Sequence, residues 1–285
     1  MKLPFKIDLS GKVALVTGGG GVLCSEFAKA LAASGAKVAV CDLRVDAAQK
    51  VVDEITKDGG TAIAVGANVL DKASLEAARE TILEKFGTVD ILLNGAGGNN
   101  PKGTTSKDTL DPEDLEGAAE GIKTFFDLDP AGIEFVFNLN FLGTLLPTQV
   151  FAKDMAKKGD AVILNVSSMN AFRPLTRIPA YSGAKAAVSN FTQWLAVHFA
   201  KVGIRVNAIA PGFFLTNQNH DLLINPDGSY TARSQKILAH TPMNRFGVTD
   251  DLIGTLLWLV DNNASGFVNG TVIPVDGGFA AYSGV

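Results

Sequence analysis

Short apolar runs alternate with helical segments along most of the chain. Seven runs rich in β-branched residues have the length of buried strands, at about residues 12–17, 37–41, 61–65, 89–93, 161–166, 204–209 and 271–275. Amphipathic segments of helical length lie between them, at about residues 22–34, 46–57, 71–86, 133–157, 179–201 and 250–260. Strands that are apolar on both faces and separated by helices are typical of a parallel sheet covered on both sides. The pattern therefore predicts an α/β fold with about seven parallel strands.

Two long polar segments interrupt this alternation, around residues 98–131 and 213–247. Segments of this length outside the core elements of a folded domain usually carry function, so we expect them to cover a substrate site. Within the first, residues 113–125 have the composition of a further helix. The sequence contains no internal repeat and no linker, which predicts one domain over residues 1–285.

The composition excludes several classes of function. With 47% hydrophobic residues, 19% charged residues and 30 glycines, the chain is typical of a globular protein. The formal net charge is −4 and no basic block is present, so nucleic acid is not an expected partner. The apolar runs look too short for a bilayer, and the first residues, Met1 to Lys6, have no signal-peptide core. Neither a membrane nor export is expected.

The cysteines and histidines point to an ordinary reducing compartment. Cys24 and Cys41 fall in a predicted helix start and a predicted strand, where buried free thiols are more probable than a disulfide. The three histidines lack the spacing of metal ligands. We therefore expect a cytoplasmic protein without a metal site.

A glycine turn joins the first predicted strand to the first predicted helix. Thr17 is followed by four glycines, Gly18 to Gly21, and then by Val22 and Leu23 at the helix start. Main-chain N–H groups at such a turn bind a pyrophosphate, and glycines allow its close approach. Cofactor contacts are therefore predicted at Gly18, Gly20, Gly21, Val22 and Leu23.

An acidic residue ends the second predicted strand. Asp42 lies 24 residues after Gly18, where a carboxylate accepts hydrogen bonds from the ribose hydroxyls of a dinucleotide. The same carboxylate repels a 2′-phosphate, so NAD is favoured over NADP. Arg44, two residues later, leaves NADP open as the alternative.

Tyr181 and Lys185 are four residues apart in a predicted helix and so lie on the same face. A phenol has an ordinary pKa of about 10, and a desolvated ammonium beside it favours the phenolate. Taken alone, such a pair is also common on exposed helices. The pair is consistent with acid–base chemistry only if the rest of the chain builds a site around it.

Six short motifs, in this order, resemble the classical short-chain dehydrogenases/reductases over nearly the whole chain. They are Thr17-Gly18, residues 94–97 (Asn-Gly-Ala-Gly), Asn140, residues 165–168 (Asn-Val-Ser-Ser), the Tyr181/Lys185 pair, and Pro211-Gly212 followed by Thr216. Two departures stand out. Val22 and Cys24 occupy positions where the family usually has glycine, and Gly95 replaces an asparagine.

The resemblance implies a Rossmann-type, doubly wound fold and a set of residue roles. Tyr181 is expected to be the proton donor or acceptor, Lys185 to tune it, and Ser168 to bind the reacting oxygen. Asn140 is expected to hold a water that links Lys185 to solvent. Tyr181 and Lys185 are also expected to contact the cofactor, as are Asn68, Val69, Asn94, Ala96, Gly97, Pro211, Gly212, Phe214 and Thr216.

Within the family, three segments are most similar to the D-mannonate oxidoreductase (fructuronate reductase) branch, namely residues 99–101, 168–174 and 274–278. A sugar-acid substrate requires a cation for its carboxylate and polar groups for its hydroxyls. Arg173 is the expected cation because a guanidinium binds a carboxylate through two hydrogen bonds. Ser168, Asn170, Asn99 and Asn100 complete the expected substrate set. The weaker candidates for the cation are Lys102, Arg177, His220 and Arg233.

Three other functions stay open at this stage. The same fold can act on another polyol or keto acid, as a gluconate 5-dehydrogenase does, or on a 3-oxoacyl thioester. A non-catalytic, nucleotide-binding regulator is the alternative from another class. The resemblance also implies a homotetramer, in which Phe191, Trp194 and Phe199 either pack between subunits or belong to the core.

Overall fold

The computed structural model describes residues 7–117, 119–216 and 219–284. Residues 118, 217 and 218, which belong to the two predicted insertions, lie outside the described residues, as do residues 1–6 and 285. The strands are β1 (Val13–Thr17), β2 (Lys37–Asp42), β3 (Thr61–Gly66), β4 (Ile91–Asn94), β5 (Ala161–Val166), β6 (Ile204–Pro211) and β7 (Val272–Val275). They form one parallel sheet in the order β3-β2-β1-β4-β5-β6-β7. The predicted seven-stranded parallel sheet is confirmed.

Helices cover both faces of this sheet. They are α1 (Val22–Ala33), α2 (Val45–Lys57), α3 (Lys72–Lys85), α4 (Pro130–Phe137), α5 (Gly143–Lys158), α6 (Pro179–Phe199), α7 (His220–Leu223), α8 (Ala232–Ala239), α9 (Asp250–Val260) and α10 (Asn262–Ser265). Alternate residues of β1 point to opposite faces: Ala14 and Val16 pack with α1, α2 and α9, whereas Val13 and Leu15 pack with α3, α5 and α6. The two buried clusters make a three-layer, doubly wound fold.

Local chemistry explains the ends of several helices. Asp71 accepts a hydrogen bond from the N–H of Ala73 at 3.0 Å and so caps α3, as its sequence position predicts. Gly35 follows α1 with a φ of +97°, a conformation that favours glycine after a helix.

Two polar segments differ from expectation. The described residues of 113–125 do not form an α-helix; 3-10 turns lie at Pro112–Glu116 and at Phe125–Asp127. Asp111 and Asp114 form a capping box at the start of the turn at Pro112–Glu116. Gly117 follows that turn with a φ of +123°. The segment at 213–247 is more regular than expected because it contains α7 and α8.

The predicted helix at 133–157 is longer than expected and contains a wide turn. It runs through α4, a π-helical turn at Asn138–Leu142, and α5. At 29 residues, with a mean hydropathy of 1.3 in its most apolar window, Pro130–Lys158 is long and apolar enough to cross a membrane by length and composition. The expectation that every apolar run is too short was therefore wrong. Half of that window is buried in the fold, as in a core helix.

Polar side chains bridge the middle of the sheet to the helices beneath it. The Nδ2 of Asn94 in β4 donates to the Oδ1 of Asn165 in β5 at 2.9 Å and to the Oγ1 of Thr148 at 3.1 Å. The Nδ2 of Asn165 in turn donates to the Oγ1 of Thr192 on α6 at 2.9 Å. All four residues are buried. The network therefore fixes β4 and β5 relative to α5 and α6.

We expect Asn165→Ala to destabilise the protein by at least about 2 kcal/mol, because it leaves two buried polar groups, on Asn94 and Thr192, without Asn165 as partner. Urea denaturation followed by circular dichroism measures this change. Asn190→Ala on the exposed face of α6 is the matched control and should change stability by less than about 0.5 kcal/mol. Equal effects in the two variants would contradict the role of the network.

Candidate active site

The predicted catalytic residues converge at the carboxyl edge of the sheet. Ser168 follows β5, Tyr181 and Lys185 lie in the first turns of α6, and Asn140 lies in the π-helical turn between α4 and α5. The strand order reverses between β1 and β4, and such a reversal opens a crevice outside the carboxyl ends of parallel strands. The four residues thus line the crevice where α/β proteins bind ligands.

Lys185 is buried to 4% exposure beside Tyr181. Its Nζ donates to the carbonyl oxygen of Val166 at 2.8 Å and lies 5.7 Å from the centre of the Tyr181 ring. Burial lowers the pKa of Lys185 to about 8. The ammonium is therefore held by a main-chain carbonyl at the end of β5, close to the tyrosine.

The phenol of Tyr181 is subject to two opposing effects. Burial raises its pKa, and the Ser168 side chain acts in the opposite direction. The expected lowering of this pKa by Lys185 stays a prediction; the ammonium donates to Val166 and lies 5.7 Å from the centre of the ring. Ser168 is the neighbour that favours the phenolate here.

Asn140 is fully buried and its carboxamide is occupied by main-chain partners. Its Nδ2 donates to the carbonyl oxygens of Gly98 at 2.7 Å and Val136 at 2.8 Å, and its Oδ1 accepts from the N–H of Gly98 at 3.3 Å. The side chain therefore anchors the loop after β4 to the π-helical turn. The expected water contact stays a prediction; the main-chain carbonyl of Asn140 accepts from the Thr144 hydroxyl at 2.9 Å.

Gly97 separates the asparagine from the lysine. A Cβ at this position would lie 2.7 Å from the Oδ1 of Asn140 and 3.2 Å from the Nζ of Lys185. Any side chain here would displace one of these two groups. The glycine of the motif at 94–97 is thus explained by the space that the catalytic groups need.

The glycine turn and Asp42 form one unit. The N–H of Gly20 donates to the Oδ2 of Asp42 at 3.0 Å, and the N–H of Arg44 donates to its Oδ1 at 2.9 Å. Gly18 has a φ of +65°, and a Cβ there would lie 2.9 Å from the backbone of Ala96. Gly21 begins α1 without a side-chain cap, so the first-turn N–H groups, including those of Val22 and Leu23, are suited to bind an anion.

Two of the residues that depart from the family pattern, Cys24 and Gly95, pack against each other. A Cβ at Gly95 would collide with the Sγ of Cys24 and would lie 2.9 Å from the carbonyl oxygen of Thr17. The thiol therefore fills the space above Gly95, so the helix carries the larger residue and the strand end carries the glycine. Burial raises the pKa of Cys24 to about 12, which makes it a packing residue and not a nucleophile. Cys41 is likewise free and buried.

Two of the predicted cofactor contacts, at Asn94 and Phe214, stay predictions for residues whose side chains are buried. The Asn94 side chain is buried in the network with Thr148 and Asn165 and serves the sheet. Phe214 is buried at 6% exposure and packs against Gly247, where a Cβ would lie 2.5 Å from its ring. Both side chains have their partners inside the protein, which the motif alone does not reveal.

The other predicted cofactor residues lie at or near the same edge of the sheet. Val69 is buried next to Gly143, and Asn68 is exposed, with its Oδ1 accepting from the N–H of Leu70. Ala96 follows β4, Pro211 ends β6, and Gly212 donates to the carbonyl of Val275 at 2.9 Å. The N–H of Thr216 donates to the Oδ1 of Asn219.

Some of the expected substrate residues have polar atoms without a hydrogen-bond partner among the described residues, and others are bonded within the protein. Asn170 is 5% exposed, and its Oδ1 has no hydrogen-bond partner among the described residues. Its N–H donates to the Oγ of Ser168 at 3.2 Å. The exposed Arg173 donates through Nε to the carbonyl of Ala280 at 3.1 Å. Asn170 and Arg173 both lie on the short loop that follows Ser168.

Asn99 and Asn100 are held within their own loop. Asn100 caps a 3-10 turn by accepting from the N–H of Lys102 at 2.9 Å, and Asn99 donates to the Oγ1 of Thr104 at 3.1 Å. The expected substrate roles of Asn99 and Asn100 stay predictions. Among the weaker cations, Lys102 pairs with Asp129 at 3.3 Å and Arg177 donates to the carbonyl of Thr105.

Sequence reasoning missed two parts of the site. The hydroxyl of the buried Thr17 accepts from the N–H groups of Gly95 and Ala96, at 3.1 and 3.4 Å, and so ties β1 to the loop after β4. The carbonyl that accepts from Lys185 belongs to Val166. Because this contact uses a main-chain atom, the type of side chain at residue 166 does not reveal it. Within the described ranges, no three His, Cys, Asp or Glu side chains are grouped so that they could hold a metal ion.

Comparisons with known proteins agree with this geometry. The family model for short chain dehydrogenases matches residues 12–226. An uncharacterized oxidoreductase of Haemophilus influenzae is 59% identical over 100% of this chain and 99% of its own length. The oxidoreductase UxuB of Bacillus subtilis is 57% identical over 99% of this chain and 100% of its own. A solved Haemophilus structure, provisionally named a D-mannonate oxidoreductase and containing NAD, has a TM-score of 0.94 and 58% identity, with full coverage of both chains.

The burial of the Lys185 ammonium predicts how the free energy of unfolding depends on pH. Its pKa is about 8 in the folded protein and 10.5 for the free side chain. Between these values the unfolded chain binds more protons, so this group makes wild-type stability rise with pH. Lys185→Met removes the titration. We therefore expect the stability of the variant relative to the wild type to fall by about 2–3 kcal/mol between pH 7 and pH 10.

Urea denaturation of both proteins at the two pH values measures this difference. Other titrating groups are common to the two proteins and cancel in the comparison. Lys50→Met on the exposed side of α2 is the matched control, and we expect no such trend from it. A stability difference that is the same at pH 7 and pH 10 would show that Lys185 is not the buried cation inferred above.

Proposed function

The chain belongs to the short-chain dehydrogenase family, and we propose that it is an NAD-dependent oxidoreductase that interconverts a secondary alcohol and a ketone of a sugar acid. D-mannonate and D-fructuronate are the proposed pair. The observation that carries the proposal is the convergence of Ser168, Tyr181 and Lys185 at one edge of the sheet. The Haemophilus structure named for D-mannonate supports the choice of substrate.

The residues around the glycine turn fit a dinucleotide. Gly18 to Gly21 leave room for close approach, the start of α1 is uncapped, and Asp42 is fixed by the N–H groups of Gly20 and Arg44. The carboxylate is oriented toward the same turn and suits ribose hydroxyls more than a 2′-phosphate. NAD is therefore the proposed cofactor, with NADP the alternative. When bound, NAD supplies the hydride acceptor and NADH the donor.

The protein residues supply the proton chemistry. In reduction, the Tyr181 hydroxyl donates its proton to the carbonyl oxygen; in oxidation, the phenolate takes the hydroxyl proton. The Oγ of Ser168 donates a hydrogen bond to the reacting oxygen and stabilises the charge that develops there. Because burial raises the pKa of Tyr181, the tyrosine is held protonated, which suits its role as the acid. Lys185 holds its charge close to the ring.

The substrate assignment depends on the loop after Ser168. We propose that Arg173 binds the carboxylate and that the carboxamide of Asn170 binds a hydroxyl. Arg173 uses its Nε on Ala280, and its terminal nitrogens are the proposed carboxylate ligands. The unpartnered Oδ1 of Asn170 is an acceptor that a substrate hydroxyl satisfies. The acyl group of a 3-oxoacyl thioester has no carboxylate for Arg173 to bind.

The nearest alternative is another polyol or keto acid handled by the same catalytic residues. A non-catalytic regulator is disfavoured because Ser168, Tyr181, Lys185 and Asn140 are all present and packed together. Assays of NADH oxidation with D-fructuronate, 5-keto-D-gluconate, D-fructose and an acetoacetyl thioester separate these functions. Binding of NADH without turnover of any carbonyl would favour the regulator.

We also propose a homotetramer in the cytoplasm. Trp194 is 55% exposed and stacks between Phe191 and His198 on α6, next to the exposed Val197. The alternative that Trp194 is a core residue is excluded by its exposure. An apolar helical face of this kind suits contact with another subunit. Light scattering measures the assembly, and the two free thiols suit a reducing compartment.

We expect Tyr181→Phe to lower turnover by at least about 10²-fold, because it removes the positioned acid and keeps the ring. The affinity for NADH should change little, since the ring and Lys185 remain in place. Stopped-flow NADH oxidation and fluorescence titration measure the two quantities. Wild-type turnover in this variant would show that another group transfers the proton.

We expect Arg173→Met to raise the KM for D-fructuronate at least about tenfold, because a hydrogen bond to a charged group is lost. The KM for a neutral ketose should stay nearly unchanged. Arg233→Met, an exposed cation on α8, is the matched control. A loss that is equal for charged and neutral substrates would assign Arg173 to the Ala280 contact alone.

A further inference from the structure

The C-terminal end of the chain contacts the loop that carries two of the proposed substrate residues. This substrate loop, residues 169–174, follows Ser168, and the C-terminal turn, Phe279–Ala281, follows β7. The two meet where the Nε of Arg173 donates to the carbonyl oxygen of Ala280 at 3.1 Å, across 107 residues of sequence. The orientation of the Arg173 side chain therefore depends on how the C-terminal turn is held.

The substrate loop fixes the main chain of Arg173 but leaves its side chain exposed. The N–H groups of Phe172 and Arg173 both donate to the carbonyl oxygen of Met169 at 3.0 Å. The Arg173 side chain itself is exposed, and a long exposed side chain loses conformational freedom when it binds a ligand. A contact that orients the guanidinium before binding reduces this loss. The hydrogen bond to Ala280 is such a contact.

Asp276 shapes the C-terminal turn. Its Oδ1 accepts from the N–H of Gly278 at 2.9 Å, and its Oδ2 accepts from the N–H of Ala280 at 2.8 Å. Gly277 and Gly278 have φ angles of +64° and +90°, which let the chain reverse direction between β7 and the turn. The carboxylate of Asp276 therefore binds the same residue whose carbonyl oxygen accepts from Arg173.

The main chain of Asp276 is fixed at the edge of the sheet. The N–H of Gly212, which follows β6, donates to the carbonyl oxygen of Val275 at 2.9 Å, and a Cβ at Gly212 would lie 2.6 Å from the Cα of Asp276. The N–H of Met243 donates to the carbonyl oxygen of Gly277 at 3.1 Å. Asp276 thus holds the C-terminal turn in a fixed position relative to the sheet.

We propose that Asp276 is a positioning residue that orients Arg173 for the carboxylate of the substrate, an inference that rests on the proposed function. The Asp276 carboxylate holds the N–H of Ala280, and the carbonyl of Ala280 holds the Nε of Arg173. A guanidinium is planar, so a hydrogen bond through Nε leaves the edge with the two terminal nitrogens for a carboxylate. Donors that are held in place before binding lose less freedom on binding. Asp276 therefore sets how strongly the site prefers a charged ketone over a neutral one.

Asp276→Ala removes both acceptors and is the first test variant. We expect its KM for D-fructuronate to rise about three- to tenfold, the range that weakening of one hydrogen bond to a charged group gives. The KM for D-fructose, which has no carboxylate, and the dissociation constant for NADH should each change by less than about twofold. The kcat should stay near the wild-type value because the proton-transfer groups are untouched. Asp276→Asn keeps one acceptor and should give a smaller rise, and it replaces the alanine variant if that variant does not fold.

The double variant Asp276→Ala/Arg173→Met separates positioning from a general loss of structure. If Asp276 acts through Arg173, both changes affect one interaction, and the KM of the double variant for D-fructuronate should equal that of Arg173→Met within about twofold. Independent effects would instead multiply. A multiplied KM, or a rise in the KM for D-fructose equal to that for D-fructuronate, would overturn the proposal.

Hydrogen exchange followed by mass spectrometry tests the same contact without substrate. In Asp276→Ala we expect the amides of residues 278–282 to exchange at least about fivefold faster, since two of them lose their acceptor. The substrate loop should also exchange faster, because Arg173 loses the support of the turn. Unchanged exchange of the substrate loop would overturn the proposal.

Asp8→Ala is the matched control. Asp8 also accepts from the N–H of the residue two positions later, Ser10, at 3.0 Å, but it precedes β1 at the opposite edge of the sheet. Its KM values and the exchange of both segments should equal those of the wild type. If the wild type turns over no sugar acid, the proposed function fails, and the exchange experiment still decides whether Asp276 holds Arg173 through the C-terminal turn.

Discussion

One buried ammonium sets the requirements for the rest of the site. A lysine charge removed from water must find partners in the protein, and Lys185 finds the carbonyl of Val166 and the face of Tyr181. Its burial brings its pKa down to about 8. Gly97 has to lack a side chain so that Asn140 and Lys185 can both approach. The strand end, the π-helical turn and the loop after β4 are thus shaped around one charge.

The arrangement of the glycine turn and its neighbours depends on close packing as well as on hydrogen bonds. Cys24 fills the volume above Gly95, so a chain that departs from the family pattern at both positions keeps the same close contact between α1 and β4. Asp42 is held by main-chain N–H groups on both oxygens. Gly20 and Asp42 are 22 residues apart in the chain. Their hydrogen bond holds the glycine turn and the acidic residue in one fixed arrangement.

The candidate catalytic residues and the polar segments around them are held by different kinds of interaction. Asn94, Asn165 and Thr192 form a buried network beneath the site, which costs much to disturb because each lost partner leaves a polar group in the core. The two long polar segments meet through one partly exposed ion pair, between Asp108 and Lys236 of α8, and such a pair contributes little to stability.

The sequence by itself determined the features that arise from residues near one another in the chain. The alternation of apolar runs, the Asp71 cap and the glycine turn each depend on a few neighbouring residues, so the strands and the fold class follow from them. The candidate catalytic set came from the order of short motifs that resemble the family. Tertiary structure alone decided the burial of Asn94 and Phe214, the exchange between Cys24 and Gly95, and the contact from Asp108 to Lys236. These depend on distant segments meeting, and burial and charge pairing exist only after the chain has packed.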